Sequence, residues 1–342
     1  MAHGIDTVNG KATFAFVGGD AWHGLGQRLT KGAPMEVWAE EAGMNYDIIG
    51  VPVKFDIPVM NGKGEKPAGI DLGNITKQFD GKRVLYRNDS GNGLSVVSDS
   101  YKIVQPKDVL NFFEELVAVG DMHLETAGVL FGGTRYWAMA NTNFEDDVIG
   151  GDRIKGRLLL TTSCDGTLAT TAKFVSERVV CNNTLKIALG ETDEEKKPQV
   201  RVTHGAVFNP EKIKEALGLL DHGWHQFMTN IRTMSKTKMS DAAAKKFIAD
   251  IMLNPEQLKL LEEQNEVHKR VQAKLDEIFA MYKGTGMGAT EVTGTVWGAL
   301  NSITEYADHR IGQKADNKLW NSWFGYSENL KNSAFELAME MI

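Results

Sequence analysis

The chain has 342 residues, 42% hydrophobic and 24% charged, an ordinary balance for a globular protein with a substantial core. Its net charge of −7 argues against a protein that coats nucleic acid with its whole surface, although a local basic face remains open to it. No apolar run approaches the ~20 residues of a membrane span, and Met1-Ala2-His3-Gly4-Ile5-Asp6 lacks the charged and apolar regions of a signal peptide.

In chain order, Met35–Ala42 reads as a short helix and Ile48–Ile57 as a strand, followed by the polar loop tip Met60–Lys66. Arg83–Arg87 and Leu94–Val97 flank Asn88-Asp89-Ser90-Gly91-Asn92-Gly93, the pattern of a β-hairpin. Pro106 starts a helix to about Val119, with Val109, Phe112, Phe113 and Leu116 on one face. Two further hairpins follow: His123–Leu130 with Thr134–Thr142 around Phe131-Gly132-Gly133, and Lys155–Ser163 with Thr167–Phe174 around Cys164-Asp165-Gly166. Ser176 reads as the N-cap of a helix to Leu189 that Gly190 closes.

The charged stretch Gly190–Pro198 marks a domain boundary near residue 195, with a sheet domain over 1–195 and a helical domain over 196–342. Helical stripes then run through Ile213–Ile231, from Ser240-Asp241 to near Asn254-Pro255, through Val267–Tyr282, through Val296–Ala307, and from about Ser327. Gly284, Gly286 and Gly288 form a break between helices rather than a nucleotide loop. The expected fold is α+β: an antiparallel sheet of hairpins with a packed helix, followed by a mostly helical region.

No catalytic motif is present. Ser163 and Cys164 sit at a hairpin end with no neighbouring histidine and no strand-to-helix elbow. Asp221, His222 and His225, or Glu305, Asp308 and His309, share helix faces, but neither set supplies the converging ligands zinc needs, so no metal and no cofactor is expected. His23 in its glycine-flanked turn reads as a packed histidine. Cys164 and Cys181 read as free thiols of a reducing cytoplasm.

The last hairpin carries the most information. Lys155, Arg157, Leu159, Thr161 and Ser163 alternate with Gly156, Leu158, Leu160 and Thr162, and Lys173 alternates with Ala172 and Phe174. A three-residue turn at Cys164-Asp165-Gly166 puts every apolar even-numbered residue on one face, and Arg157 opposite Lys173 on the other. With Arg178 and Lys186 on the following helix, Lys155, Arg157, Lys173, Arg178 and Lys186 then ring a hydroxyl-rich groove suited to a phosphate backbone. Tyr136 and Trp137 on the neighbouring hairpin are candidate base-stacking platforms. The competing reading is an ordinary solvated sheet face. A second basic cluster, Arg232, Lys236, Lys238, Lys245 and Lys246, spans two helices.

Several segments are familiar as an ordered set: Ala21-Trp22-His23-Gly24-Leu25-Gly26, Val97–Gln105, Thr161–Gly166, Arg178–Leu185, Thr304–His309 and Trp323-Phe324-Gly325. In this order the chain resembles the phage/plasmid-like family known as domain of unknown function 932. The resemblance implies a phage, prophage or plasmid gene acting in the cytoplasm of a bacterial host, and transfers no catalytic residue. The hairpins followed by a helix are similar in outline to annealing proteins of the Rad52-like group, an analogy of fold alone. The expectation is therefore a homo-oligomeric protein that binds or anneals single-stranded DNA and contacts no membrane. The alternative is a protein-interaction factor, an anti-defence or replication adaptor, working through apolar helices around Trp297, Trp320 and Trp323 with a host or phage partner and no nucleic acid.

Overall fold

The computed structural model describes residues 4–8, 10–19, 24–60, 74–119, 122–178, 183–186, 199–205, 220–264, 266–288, 291–312 and 317–342. It is an α+β fold. After the small hairpin β1 (Thr7–Val8) and β2 (Lys11–Ala12), the chain lays down β3 (Phe14–Val17), β4 (Gln27–Leu29) and helix α1 (Met35–Glu41). Next come β5 (Ile48–Pro58), β6 (Asn74–Arg87), β7 (Gly93–Ser98) and α2 (Pro106–Val119). Strands β8 (His123–Leu130), β9 (Arg135–Asp147), β10 (Arg153–Ser163), β11 (Thr170–Arg178), β12 (Asn183–Lys186) and β13 (Gln199–Val202) complete the β-structure. The central sheet runs β12-β11-β10-β9-β8-β3-β4, with β13 sharing the outer edge of β11, and β3–β4 is its parallel pair.

The β8–β9 turn forms because Phe131, Gly132 and Gly133 all take positive φ (53°, 72° and 102°), a geometry glycine adopts without a side-chain penalty. Nearby, a Cβ at Gly128 would lie 2.3 Å from the Trp137 ring and 2.8 Å from the Thr13 carbonyl oxygen, so only glycine lets β3 and the indole close on β8.

The β10–β11 hairpin keeps the predicted faces but not the predicted register. Leu158 faces Phe174, Leu160 faces Ala172, and Leu159 rather than Arg157 faces Lys173. The connection is six residues, 164–169, instead of three. Local bonds hold it open: Asp165 accepts the Thr167 N–H at 2.9 Å, and Ser163 Oγ accepts the Leu168 N–H at 3.0 Å. A slip of two leaves the paired side chains on their expected sides, because the strand period is two, while Thr167, Leu168 and Ala169, expected in the strand, fall in the connection.

The helix predicted from Ser176 is not formed as predicted. β11 continues to Arg178, opposite Ile154, and 183–186 is a strand in which Leu185 pairs with Ser176. Ladder bonds on both sides of β11 and the burial of Arg178 override the local N-cap signal. Residues 179–182 and 187–190 of that prediction lie outside the described residues.

The helical region comprises α3 (Leu220–Lys236), α4 (Asp241–Met252), α5 (Pro255–Gln264), α6 (Lys269–Ala280), α7 (Val296–Glu305), α8 (Lys318–Phe324) and α9 (Tyr326–Met339). Every residue of α7 is buried, so it is the axis of this region. The break after α6 falls where predicted, with Gly284 at φ 117°. Trp224, Phe227 and Ile231 of α3 join Leu158, Leu160 and Phe174 in one continuous core with Phe112 and Phe113 of α2. β13 lies beyond residue 195 yet belongs to the sheet. Among the described residues, no helix is long and apolar enough to cross a membrane.

Candidate functional site

The hydroxyl-rich, cationic sheet face is not open to solvent. Leu159, Trp137, Phe14 and Phe16 on that side form a second core with Leu319, against which Trp320, Trp323 and Phe324 of α8 pack. Lys173 is 1% exposed, paired with Glu328 of α9, and 3.9 Å from the Phe324 ring centroid. Arg157 lies between Glu125 and Glu177. Arg178 is buried on Asp152, donates to the Gly288 carbonyl at 2.7 Å, and shares Asp152 with the Trp297 indole N–H at 3.0 Å. Lys155 is half-buried, 4.0 Å from Glu145. Lys186 sits on β12, with its side chain outside the described residues.

Tyr136 and Trp137 point to opposite faces, both fully buried: the Tyr136 hydroxyl donates to the Val104 carbonyl, and Trp137 packs 5.4 Å from Trp323. The predicted groove is thus a set of internal joints. Its polar alternation was legible, but its cover and counter-ion come from residues 319–328, some 150 positions away. In the second basic cluster, Arg232 pairs with Asp146 at 2.5 Å, Lys246 pairs with Asp250 at 3.2 Å, and Lys236 and Lys238 are exposed.

The familiar segments converge on similar joints. Around the Cys164 turn, the Tyr101 hydroxyl donates to Ser163 O at 2.9 Å, Ser95 to Cys164 O at 2.6 Å, and Tyr46 to Gly133 O at 3.2 Å. His204 stacks on Tyr101 at 4.4 Å, and the Arg87 guanidinium lies 3.8 Å over the Tyr46 ring. Burial, with Asp165 alongside, pushes the Cys164 thiol up to about 12, so at neutral pH it is a thiol and no ready nucleophile. Cys164 is unbridged; Cys181 and the Ala21-Trp22-His23 motif lie outside the described residues. Asp308 pairs with Lys331 at 2.6 Å, and Glu305 accepts the Met287 N–H at 2.9 Å. Among the described residues, no three His, Cys, Asp or Glu side chains are placed to hold a metal ion.

What remains uncovered is an arm. Strands β5, β6 and β7 form a separate three-stranded sheet. At its base, the inner face buries Ile48, Leu85, Arg87 and Val97 against the body. Beyond Lys82 the third strand ends, and β5 and β6 continue as a two-stranded ribbon pairing Val53 with Phe79, Phe55 with Lys77 and Ile57 with Ile75. Residues opposite one another share a face, so Ile49, Val51, Phe55, Ile57, Ile75, Phe79 and Val96 all lie on the outer side. They are 36–60% exposed. The polar residues, Lys54, Asp56, Thr76 and Gln78, lie on the inner side, where the Thr76 hydroxyl donates to Asp56 at 2.6 Å. The usual polarity of a half-solvated sheet is reversed. Ile48–Ile57 reads as a strand from sequence; Ile75, Lys77 and Phe79 alternate in the same way, but alternation does not say which side meets solvent.

These features define an α+β protein with a central, largely antiparallel sheet covered by helices on both faces and a projecting three-stranded arm. The chain belongs to the family described as domain of unknown function (DUF932), whose model matches residues 93–323, about two thirds of its length. The match begins at β7, so β5 and β6 precede it. No curated protein and no solved structure matches the chain.

Proposed function

We propose that this chain is a protein-interaction factor whose working surface is the outer face of the arm, acting in the bacterial cytoplasm as the product of a phage, prophage or plasmid gene. One observation carries the reading: seven large apolar side chains, exposed together on one face of the arm. Contiguous apolar patches of more than a few hundred Å² mark interaction sites on soluble proteins. A two-stranded ribbon is marginal by itself in water, so a surface that covers it also stabilises it. The helix tryptophans named from sequence support this less well, because Trp297 is buried and Trp320 and Trp323 pack on the sheet.

A second reading, binding or annealing of single-stranded DNA, is favoured by Phe55 and Phe79. They are exposed diagonal neighbours beside Lys77, a stacking pair next to a cation. It moves the DNA site from the sheet face to the arm.

One experiment separates the two. A photo-crosslinking residue is placed at Phe55 or Phe79, with Lys246 on α4 as the control, and the chain is irradiated in its own cells. Protein adducts at the arm positions and none at Lys246 support the first reading. Nuclease-sensitive adducts support the second. Equal yield at arm and control contradicts both.

A further inference from the structure

We infer that the partner covering the arm is a second copy of this chain, seated arm to arm about a two-fold axis. The inference rests on the arm being an interaction surface, and adds the identity of the occupant.

Area supports it first. Side chains of about 150–200 Å², exposed to the extent seen at the seven positions, leave on the order of 550 Å² of apolar surface uncovered. Two such faces together remove roughly 1,100 Å² from water, which clears the ~1,000 Å² expected of a specific contact before any polar rim is counted.

The distribution of the remaining apolar surface supports it second. The other exposed large hydrophobics among the described residues are Val8, Val37, Met60, Val117, Ile149, Leu260, Met287, Tyr326, Met341 and Ile342. Apart from the adjacent pair at the C-terminal end, each comes from a different part of the chain, and no two share one strand face. Among the described residues, the arm is the place where large apolar side chains are exposed together along one strand face. The contact between copies that covers most apolar surface sets this face against itself, and such a contact is isologous and closed. Along the Asn74–Gly81 stretch of β6, moreover, no third strand among the described residues pairs with the free edge of β6.

Charge fixes how the contact responds to salt. On the ribbon the outer face carries Lys77, whereas Lys54 and Asp56 lie on the inner side and Arg83 and Arg87 at its inner base. Lys77 lies within the apolar face, opposite Phe55, a position from which a lysine stem can cover apolar surface while its ammonium stays in water. Two such faces bring like charges together, so added salt screens a repulsion and tightens the pair. Nucleic acid on the same arm would respond in the opposite direction.

The test is sedimentation equilibrium of the full chain across the micromolar range at low and high salt, beside Phe55→Ser/Phe79→Ser and Val51→Thr/Val96→Thr variants checked for folding by circular dichroism. The expected result is a monomer–dimer equilibrium that tightens severalfold with salt and shifts at least tenfold toward monomer in either double variant. A wild-type chain that stays monomeric throughout, or a dimer that both folded variants retain, overturns the inference. If the chain is monomeric while the arm still crosslinks to a different protein in cells, the occupant is wrong and the interaction reading stands. If neither self-association nor an arm adduct is seen, both fail.

Discussion

Lys173 shows how a residue can be read correctly for its face and wrongly for its environment. Alternation placed it opposite the Leu158 and Leu160 side, and it is there. The inference from polar face to solvent fails because Glu328 and Phe324 arrive from the far end of the chain. Breaking a buried pair leaves an uncompensated charge, so Lys173→Ala should cost about 3–5 kcal/mol in urea denaturation. Lys173→Met with Glu328→Leu should recover most of it, since a well-packed apolar pair replaces an ion pair at little loss. A solvated Lys173 would give no change in either case.

Glu305 allows a test of sign. Burial raises its pKa, against the Met287 N–H and the nearby His309, Arg310 and Arg178, which lower it. The folded protein therefore holds this proton more tightly than the unfolded chain. The stability it contributes is present below the unfolded pKa and is lost as pH rises through the folded one. Glu305→Gln keeps an acceptor for Met287 and cannot ionise. Thermal denaturation should find the variant more stable than wild type at neutral pH, with the gap closing as pH falls below the ordinary glutamate range. A gap that widens toward acid would contradict the assignment.

At the scale of elements, hydrophobic periodicity revealed what lies within one stretch of sequence. The stripe at Val109, Phe112, Phe113 and Leu116 gave α2, and Ser240 caps α4 by accepting the Ala243 N–H. Periodicity failed at Ser176, where pairing on both edges of β11 outweighs a capping residue. It passed over α8, a seven-residue helix whose order depends on packing Leu319 and Trp323 against the sheet. The arm was half legible: β5 was visible in its alternation, but which side faced solvent depends on where the body lies. Because Phe55 and Phe79 are about half exposed, Phe55→Ser and Phe79→Ser singly should each change chemical-denaturation stability by only about 0.5 kcal/mol. A loss of several kcal/mol in dilute protein would mean that the body itself covers the arm.

Across the whole molecule, sheet and helices are joined by buried polar links as well as by packing. Asp152 receives both Arg178 of β11 and Trp297 of α7, Lys173 reaches α9, and β13 returns to the sheet from beyond the predicted boundary. The sequence boundary near 195 reflected a charged stretch, which local composition can show. It could not reflect the core shared across that stretch, which only long-range contacts reveal. Unfolding followed by tryptophan fluorescence and by far-ultraviolet circular dichroism should therefore coincide in a single transition. Two separated transitions would mean that the regions behave as independent domains.

The central claim is that the arm, and not the sheet face, is where this protein meets its partner, a second copy of itself. Hydrogen exchange of the full chain over a hundredfold range of concentration tests it most directly. The account predicts that amides in 49–58 and 74–80 exchange rapidly in dilute protein and become protected as concentration rises, while 157–175 stays protected throughout. Arm amides that exchange equally fast at every concentration, with protection growing instead at another segment, would contradict it.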